Sequence, residues 1–210
     1  MQIQKPVLLV LIFIAIFGNS LDGQTVIRRS GETTKAFVER LKPEKSHLVY
    51  NVIKSTAWTT KSEAIICFFQ YPEMVEGEAY PVITGVLFWP EGERQYNKIR
   101  IATFESDGGA PEIRTVFFDE VYGSPELIIL CAWPQRHYDY SGTYYSAYFF
   151  KRPKNPKAQF SLDQDKRWNN IFENQCQCTS REGKSEQAPF TSARSIRAEI
   201  RQLTTAKPKT

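Results

Sequence analysis

The sequence predicts a mainly β protein: an antiparallel sandwich or barrel-like sheet of about seven strands, with a short N-terminal helix and one or two C-terminal helices. Two observations carry most of this. Runs rich in Val, Ile, Phe, Tyr and Trp recur at short spacing, at 48–53, 64–69, 81–89, 96–104, 113–118, 127–133 and 143–150. Turn-forming clusters separate several of them, at Pro90-Glu91-Gly92, Asp107-Gly108-Gly109, Tyr122-Gly123-Ser124-Pro125 and Ser141-Gly142. A third observation excludes the main rival: no long helical period interrupts the runs, which disfavours a parallel βαβ sheet.

The chain begins with an export signal. Lys5 supplies a positive start, residues 7–17 (VLLVLIFIAIF) form an unbroken apolar run, and Gly18 to Gly23 give a small-residue exit. The run is shorter than the about 20 residues needed to span a bilayer. Residues 1–23 are therefore read as a cleaved signal peptide. The cut falls after Ser20, with small residues at −3 and −1, or after Gly23, leaving Gln24 first. No second long apolar run follows, so the mature chain is expected not to span a membrane and to be secreted or periplasmic.

Residues 30–41 read as a short helix with Phe37, Val38 and Leu41 on one face and Pro43 stopping it. In 98–104, Ile99 and Ile101 alternate with Arg100 and Ala102, the pattern of a half-exposed strand. In 126–133 (ELIILCAW) nearly every position is apolar, which predicts a central strand covered on both faces. A Pro- and Lys-rich break at 151–157 ends the sheet region. Residues 161–174 read as a helix, with Ser161 and Gln164 at capping-box spacing and Trp168, Ile171 and Phe172 along one face. Residues 179–188 are polar and loose. Residues 192–203 give a last helix with Ala193, Ile196, Ile200 and Leu203 on one stripe and Arg194, Arg197 and Arg201 on another. Residues 204–210 are expected to be disordered. The domain reading is a signal peptide at 1–23, a β-rich domain at 24–150, a packed helical extension at 151–178 and a basic, partly flexible tail at 179–210.

The net charge of +4 hides an asymmetry: residues 151–210 carry +7 and residues 1–150 carry −3. A basic tail suits an anionic surface or an acidic protein; export makes nucleic acid an unexpected partner. Cys67, Cys131, Cys176 and Cys178 form an even set in an exported chain, consistent with disulfides. Three pairings are open. A direct Cys176–Cys178 bond closes a very small ring and is the least expected. Bonds from Cys67 and Cys131 to the Cys-Gln-Cys segment are favoured, each stabilising by about 2–4 kcal/mol. The alternative leaves Cys67 and Cys131 as free core residues.

The densest chemistry lies in 133–142 (WPQRHYDYSG). Trp133, Arg136, His137, Tyr138, Asp139 and Tyr140 combine aromatic surface with an Arg fork, the material of a binding loop. His137, Asp139 and Ser141 do not read as a catalytic triad, because no Gly-x-Ser-x-Gly elbow exists and the three share one short segment. Zinc spacing and Gly-rich phosphate loops are absent from the sequence. Glu105, Asp107, Glu112, Asp119, Glu120 and Glu126 lie near turns, where a glycosidase pair needs no fixed spacing.

Residues 117–128 (FFDEVYGSPELI) place an acidic turn with a Gly between two apolar runs, a pattern that resembles the calcium loops of FG-GAP-type repeats. Aligned on Gly123, the match leaves Glu120 and Glu126 as oxygen ligands. Calcium takes six or more, so neither an ion nor any cofactor is expected. The function expected from the sequence is an exported non-catalytic binding or inhibitory module that takes a protein or glycan on the 133–142 loop. The alternatives are an exported hydrolase, directed at glycans and using unassigned carboxylates, and a surface-associated structural protein.

Overall fold

The strands whose side chains are apolar in both phases lie at the centre of the fold. A computed structural model describes residues 24–60 and 62–205; the expected signal peptide and residues 206–210 lie outside the described residues. The chain forms two antiparallel sheets arranged as a β-sandwich. The first has the order β1 (Thr25–Ile27), β6 (Gln95–Phe104), β5 (Glu78–Pro90), β4 (Ala64–Val75), β2 (His47–Leu48), with β3 (Ile53–Ser55) also paired to β4. The second has the order β10 (Gln175–Ser180), β9 (Tyr140–Phe150), β8 (Ser124–Arg136), β7 (Glu112–Val121). The predicted run at 48–53 divides between β2 and β3. The strands β1 and β10, which the sequence did not announce, are an edge strand of three residues and one with little apolar content (QCQCTS).

Strand periodicity sorts the side chains into three clusters. Ile66, Phe68, Leu87, Ile99, Ile101, Leu127, Ile129 and Cys131 meet between the sheets. Ile65, Cys67, Phe69, Val86 and Phe88 face outward from the first sheet and are covered by Phe37 and Val38 of α1 (Thr34–Arg40). Ile128, Leu130, Ala147 and Phe149 face outward from the second sheet. They are covered by Trp168, by Phe172 of α2 (Asn169–Phe172), and by Ile196 and Ile200 of α3 (Ala193–Thr205). Thus β8 is buried on both faces, as its composition requires. The 3-10 turn Lys166–Trp168 leads into α2. Among the described residues, no helix is long and apolar enough to cross a membrane.

The helix expected over 161–174 is a correction. Residues 160–165 form instead an extended strap between the two sheets. Arg100 N–H donates to the Phe160 carbonyl, and Leu162 N–H to that of Arg100, both at 2.9 Å. Lys151 N–H donates to Asp163 O at 3.0 Å and Asp165 N–H to Phe149 O at 2.7 Å. With these backbone groups claimed by the edges of β6 and β9, Ser161 and Gln164 lie in bridges to Arg100 and Phe150 rather than in a capping box. Helical structure begins only at Lys166, after Asp165 caps Arg167 N–H at 3.3 Å. The segment expected to be loose turns back on itself, with Cys178 and Glu186 exchanging backbone hydrogen bonds at 3.2 and 2.8 Å. Thr204 and Thr205, expected to be disordered, belong to α3.

The disulfide expectation is also corrected. Cys176 pairs with Cys178, their Cα atoms 5.4 Å apart, while Cys67 and Cys131 are free and buried. Strand spacing gives the reason. Between Cys131 on β8 and the cysteines on β10 lies all of β9, about 10 Å of sheet, beyond the reach of a disulfide. Cys67 belongs to the other sheet and faces α1, away from β10. Burial raises both free thiols, which makes them packing residues rather than nucleophiles. The turn Asp107-Gly108-Gly109 carries the chain from β6 in one sheet to β7 in the other.

At Gly142, opposite Cys178, β9 and β10 approach closely. A Cβ there would strike the Gln177 carbonyl and lie 2.6 Å from Cys178 Cα. Gly142→Ala is therefore expected to lower stability by about 1–3 kcal/mol, read as a reduced urea midpoint. An unchanged midpoint would show that β10 is not held against β9 at this point.

Candidate functional site

The segment expected to be a ten-residue loop is mostly strand. The β8–β9 ladder runs to the pair Arg136↔Ser141, and β10 supports β9 from its other side as far as Tyr140. The loop shrinks to residues 137–139. Trp133 is removed from the surface: it is buried in the inter-sheet core, where its indole N–H donates to Glu105 O at 2.8 Å. Its residue type suits a binding surface; its phase on β8 makes it a core residue.

The other five predicted residues remain together at the hairpin tip. Arg136, His137, Tyr138 and Asp139 are exposed, and Tyr140 is half-buried. The tip is braced from below. Gln135 is buried and donates through Nε2 to Asp107 O at 2.5 Å, and its Oε1 lies 3.0 Å from His137 Nε2. The His137 ring stacks on Tyr140 at 4.6 Å. A residue that sequence reasoning passed over completes the tip. Arg181 donates its N–H to Asp139 O at 2.8 Å and lays its guanidinium 4.5 Å from the centroid of Tyr138. Beside the tip, where the sheet-to-sheet crossover passes, Glu105, Asp107, Trp133, Tyr144 and Tyr148 line an open crevice of about 350 Å³. Burial raises the Tyr148 hydroxyl strongly, so it acts as a neutral donor or acceptor.

A second cluster lies at the opposite end of β8. Glu126 occupies the outward-facing phase of Ile128 and Leu130 and is 3% exposed. Asp165, at the end of the strap, is 2% exposed. Arg167 forks onto Asp165, with Nε 2.8 and 2.9 Å from the two carboxylate oxygens and Nη2 also in contact. Lys151 Nζ stands 3.5 Å from Asp165, and Arg167 Nη2 3.8 Å from Glu126. Glu126 Oε2 has no hydrogen-bond partner. Burial, the negative charge of Asp165 and the hydrogen bond to it push Glu126 up to about 7. The Arg167 hydrogen bonds hold Asp165 below the usual carboxylate range. One carboxyl thus keeps its proton near neutrality beside one that stays ionised. Glu126 borders a pocket of about 460 Å³ together with Tyr122, Lys151, Arg152 and Arg167.

The sequence held a partial signal for this cluster: Glu126 is the one acid in phase with the buried outward positions of β8. Of the other near-turn carboxylates, Glu105, Asp107, Glu112 and Glu120 are exposed, and Asp119 faces Arg197 at 3.5 Å. The calcium-like segment 117–128 forms a two-residue hairpin, with Tyr122 and Gly123 both at positive φ (48° and 77°). Among the described residues, no group of three or more His, Cys, Asp or Glu is placed to hold a metal ion.

The fold and its surfaces define a β-sandwich with helices packed on both outer faces. In comparisons with known proteins the chain matches no family model, no curated protein and no solved structure.

The acid pair has a pH signature. A Glu126 pKa raised from 4.5 towards 7 means that the folded chain keeps a proton the unfolded chain has released. Stability therefore falls as pH rises through that window. Asp165 acts in the opposite sense and at lower pH: its contribution is lost as pH falls below 3.8. The urea midpoint is expected to decline from pH 4.5 to about 7, and Glu126→Gln is expected to flatten the decline. An equal slope in the variant would refute the assignment.

Proposed function

We propose that the chain is an exported, non-catalytic binding or inhibitory module that takes a protein or glycan partner on the β8–β9 hairpin tip. The contact residues are Arg136, His137, Tyr138 and Asp139, with Arg181 added from the turn after β10. The observation that carries this reading is Tyr138. It is 81% exposed, yet its ring is held by the Arg181 guanidinium and its neighbour Asp139 is bonded to the Arg181 backbone. An exposed aromatic fixed in advance loses little side-chain freedom on binding, and Tyr and Arg are enriched among residues that dominate binding energy. The apolar run at 7–17 supports export.

The alternatives have less support. Glu126 and Asp165 are 3% and 2% exposed and share the Arg167 guanidinium, whereas a glycosidase pair stands about 5 Å or more apart with the scissile bond between. The basic C-terminal helix offers less charge to an anionic surface than its sequence suggests. Arg197 is turned onto the Phe117 ring at 4.6 Å and onto Asp119.

The test is a triple replacement, Arg136→Ala with His137→Ala and Tyr138→Ala, compared with wild type for capture of a partner from the native secretion medium or envelope. All three side chains are exposed, so the urea midpoint should change by less than about 0.5 kcal/mol equivalent. Capture should fall by about tenfold or more. Capture that survives the triple replacement would place the binding surface elsewhere.

A further inference from the structure

We propose that the Glu126 pocket is a second binding site, separate from the hairpin tip, and that it takes an acidic sugar: a pyranose ring bearing a carboxylate. The pocket, of about 460 Å³, has room for one such ring. Its chemistry is set by three cations around one unsatisfied acceptor. Lys151, Arg152 and Arg167 all border it. Arg167 meets Asp165 through Nε and Nη2, so the Nη1 side of the fork is not engaged there. Arg152 is steadied over the Trp89 ring at 5.7 Å. With Asp165 ionised and Glu126 protonated, the cluster carries a local excess of positive charge that suits a carboxylate.

Glu126 selects the rest of the ligand. Its Oε2 is buried and without a donor, which favours a ligand that brings one. A ligand hydroxyl supplies that donor without adding charge. An ammonium group would add a fourth cation to Lys151, Arg152 and Arg167, which disfavours amino acids. Inorganic phosphate can offer an O–H donor but has no apolar face to set against Val121 and Pro125, which disfavours it. Val121 and Pro125, with Tyr122 stacked on Trp168 at 5.8 Å, supply the apolar wall for the ring. A carboxylate at one edge, hydroxyls at another and an apolar face between them describe a uronic acid.

The experiment is a titration of the full mature chain with sodium glucuronate, glucose, inorganic phosphate and aspartate, followed by calorimetry and by backbone amide shifts. Glucuronate is expected to bind about tenfold more tightly than each of the other three. Its shifts should centre on Tyr122, Glu126, Lys151 and Arg167 and leave residues 136–140 unmoved. Glu126→Gln keeps an acceptor carbonyl and should retain binding, whereas Glu126→Leu should abolish it. Lys151→Ala should weaken it about fivefold. Wild-type shifts do not depend on any variant folding. The proposal is overturned if glucuronate moves none of these amides, if phosphate or aspartate binds as tightly, if glucose does, or if a folded Glu126→Leu binds normally. None of these results bears on the hairpin tip, which the triple alanine replacement tests separately.

Discussion

Residues 64–69 and 127–133 carry apolar side chains in both phases of the strand, so each strand must be buried on two sides. A bare two-sheet sandwich buries one. The helices follow from this requirement. The helix α1 covers Ile65, Cys67 and Phe69 with Phe37 and Val38, and α2 and α3 cover Ile128 and Leu130 with Phe172, Ile196 and Ile200. Each fully buried Ile, Leu or Phe contributes about 1.5–3 kcal/mol, so leaving either outer face open would cost more than a small domain holds in reserve. The C-terminal segment is therefore part of the folded body as far as Thr205, despite its basic composition.

The strap at 160–165 solves a different problem. Sheets in a sandwich share side-chain packing but few hydrogen bonds, and their edges expose unpaired backbone groups. The strap satisfies groups on Arg100 of β6 and on Phe149 and Lys151 beside it, and so ties one sheet to the other. It also delivers Asp165 to Glu126. A carboxylate cannot be left unpaired in such a place. Arg167 and Lys151 neutralise Asp165, and Glu126 keeps its proton. The unusual acid of this fold is thus a consequence of how the sandwich is closed at its edge.

The sandwich was legible in the sequence because period-two patterning and turn residues are local signals. ELIILCAW announced a doubly covered strand, and the apolar face within residues 30–41 announced α1. The failures came where non-local hydrogen bonds overrode local pattern. Trp168, Ile171 and Phe172 have helical spacing, but the backbone from Ser161 to Asp165 is taken by two sheet edges, so the helix starts late. Trp133 looked like a surface aromatic because a polar segment (QRHYDY) follows it after Pro134, yet its phase on β8 points it between the sheets. The cysteine pairing depended on which strands β10 would lie beside, and nothing in QCQCTS carries that information. Arg181 joins the tip only because β10 runs along β9 as far as Ser180, opposite Tyr140, which sets the next residue beside Asp139.

The two surfaces lie at opposite ends of one strand. Glu126 and Arg136 are both on β8, ten residues apart, which at about 3.4 Å per residue separates them by roughly 34 Å. That is several times the Debye length of about 8 Å at physiological salt, so the charge state of the acid pair does not reach the hairpin tip through solvent. Between them β8 is buried on both faces and hydrogen-bonded on both edges, to β7 and β9. A strand held in this way has no second packing arrangement through which one end could report on the other. The two proposed sites are therefore independent of each other: on that reading, a partner held at the tip leaves the Glu126 pocket open to a second ligand.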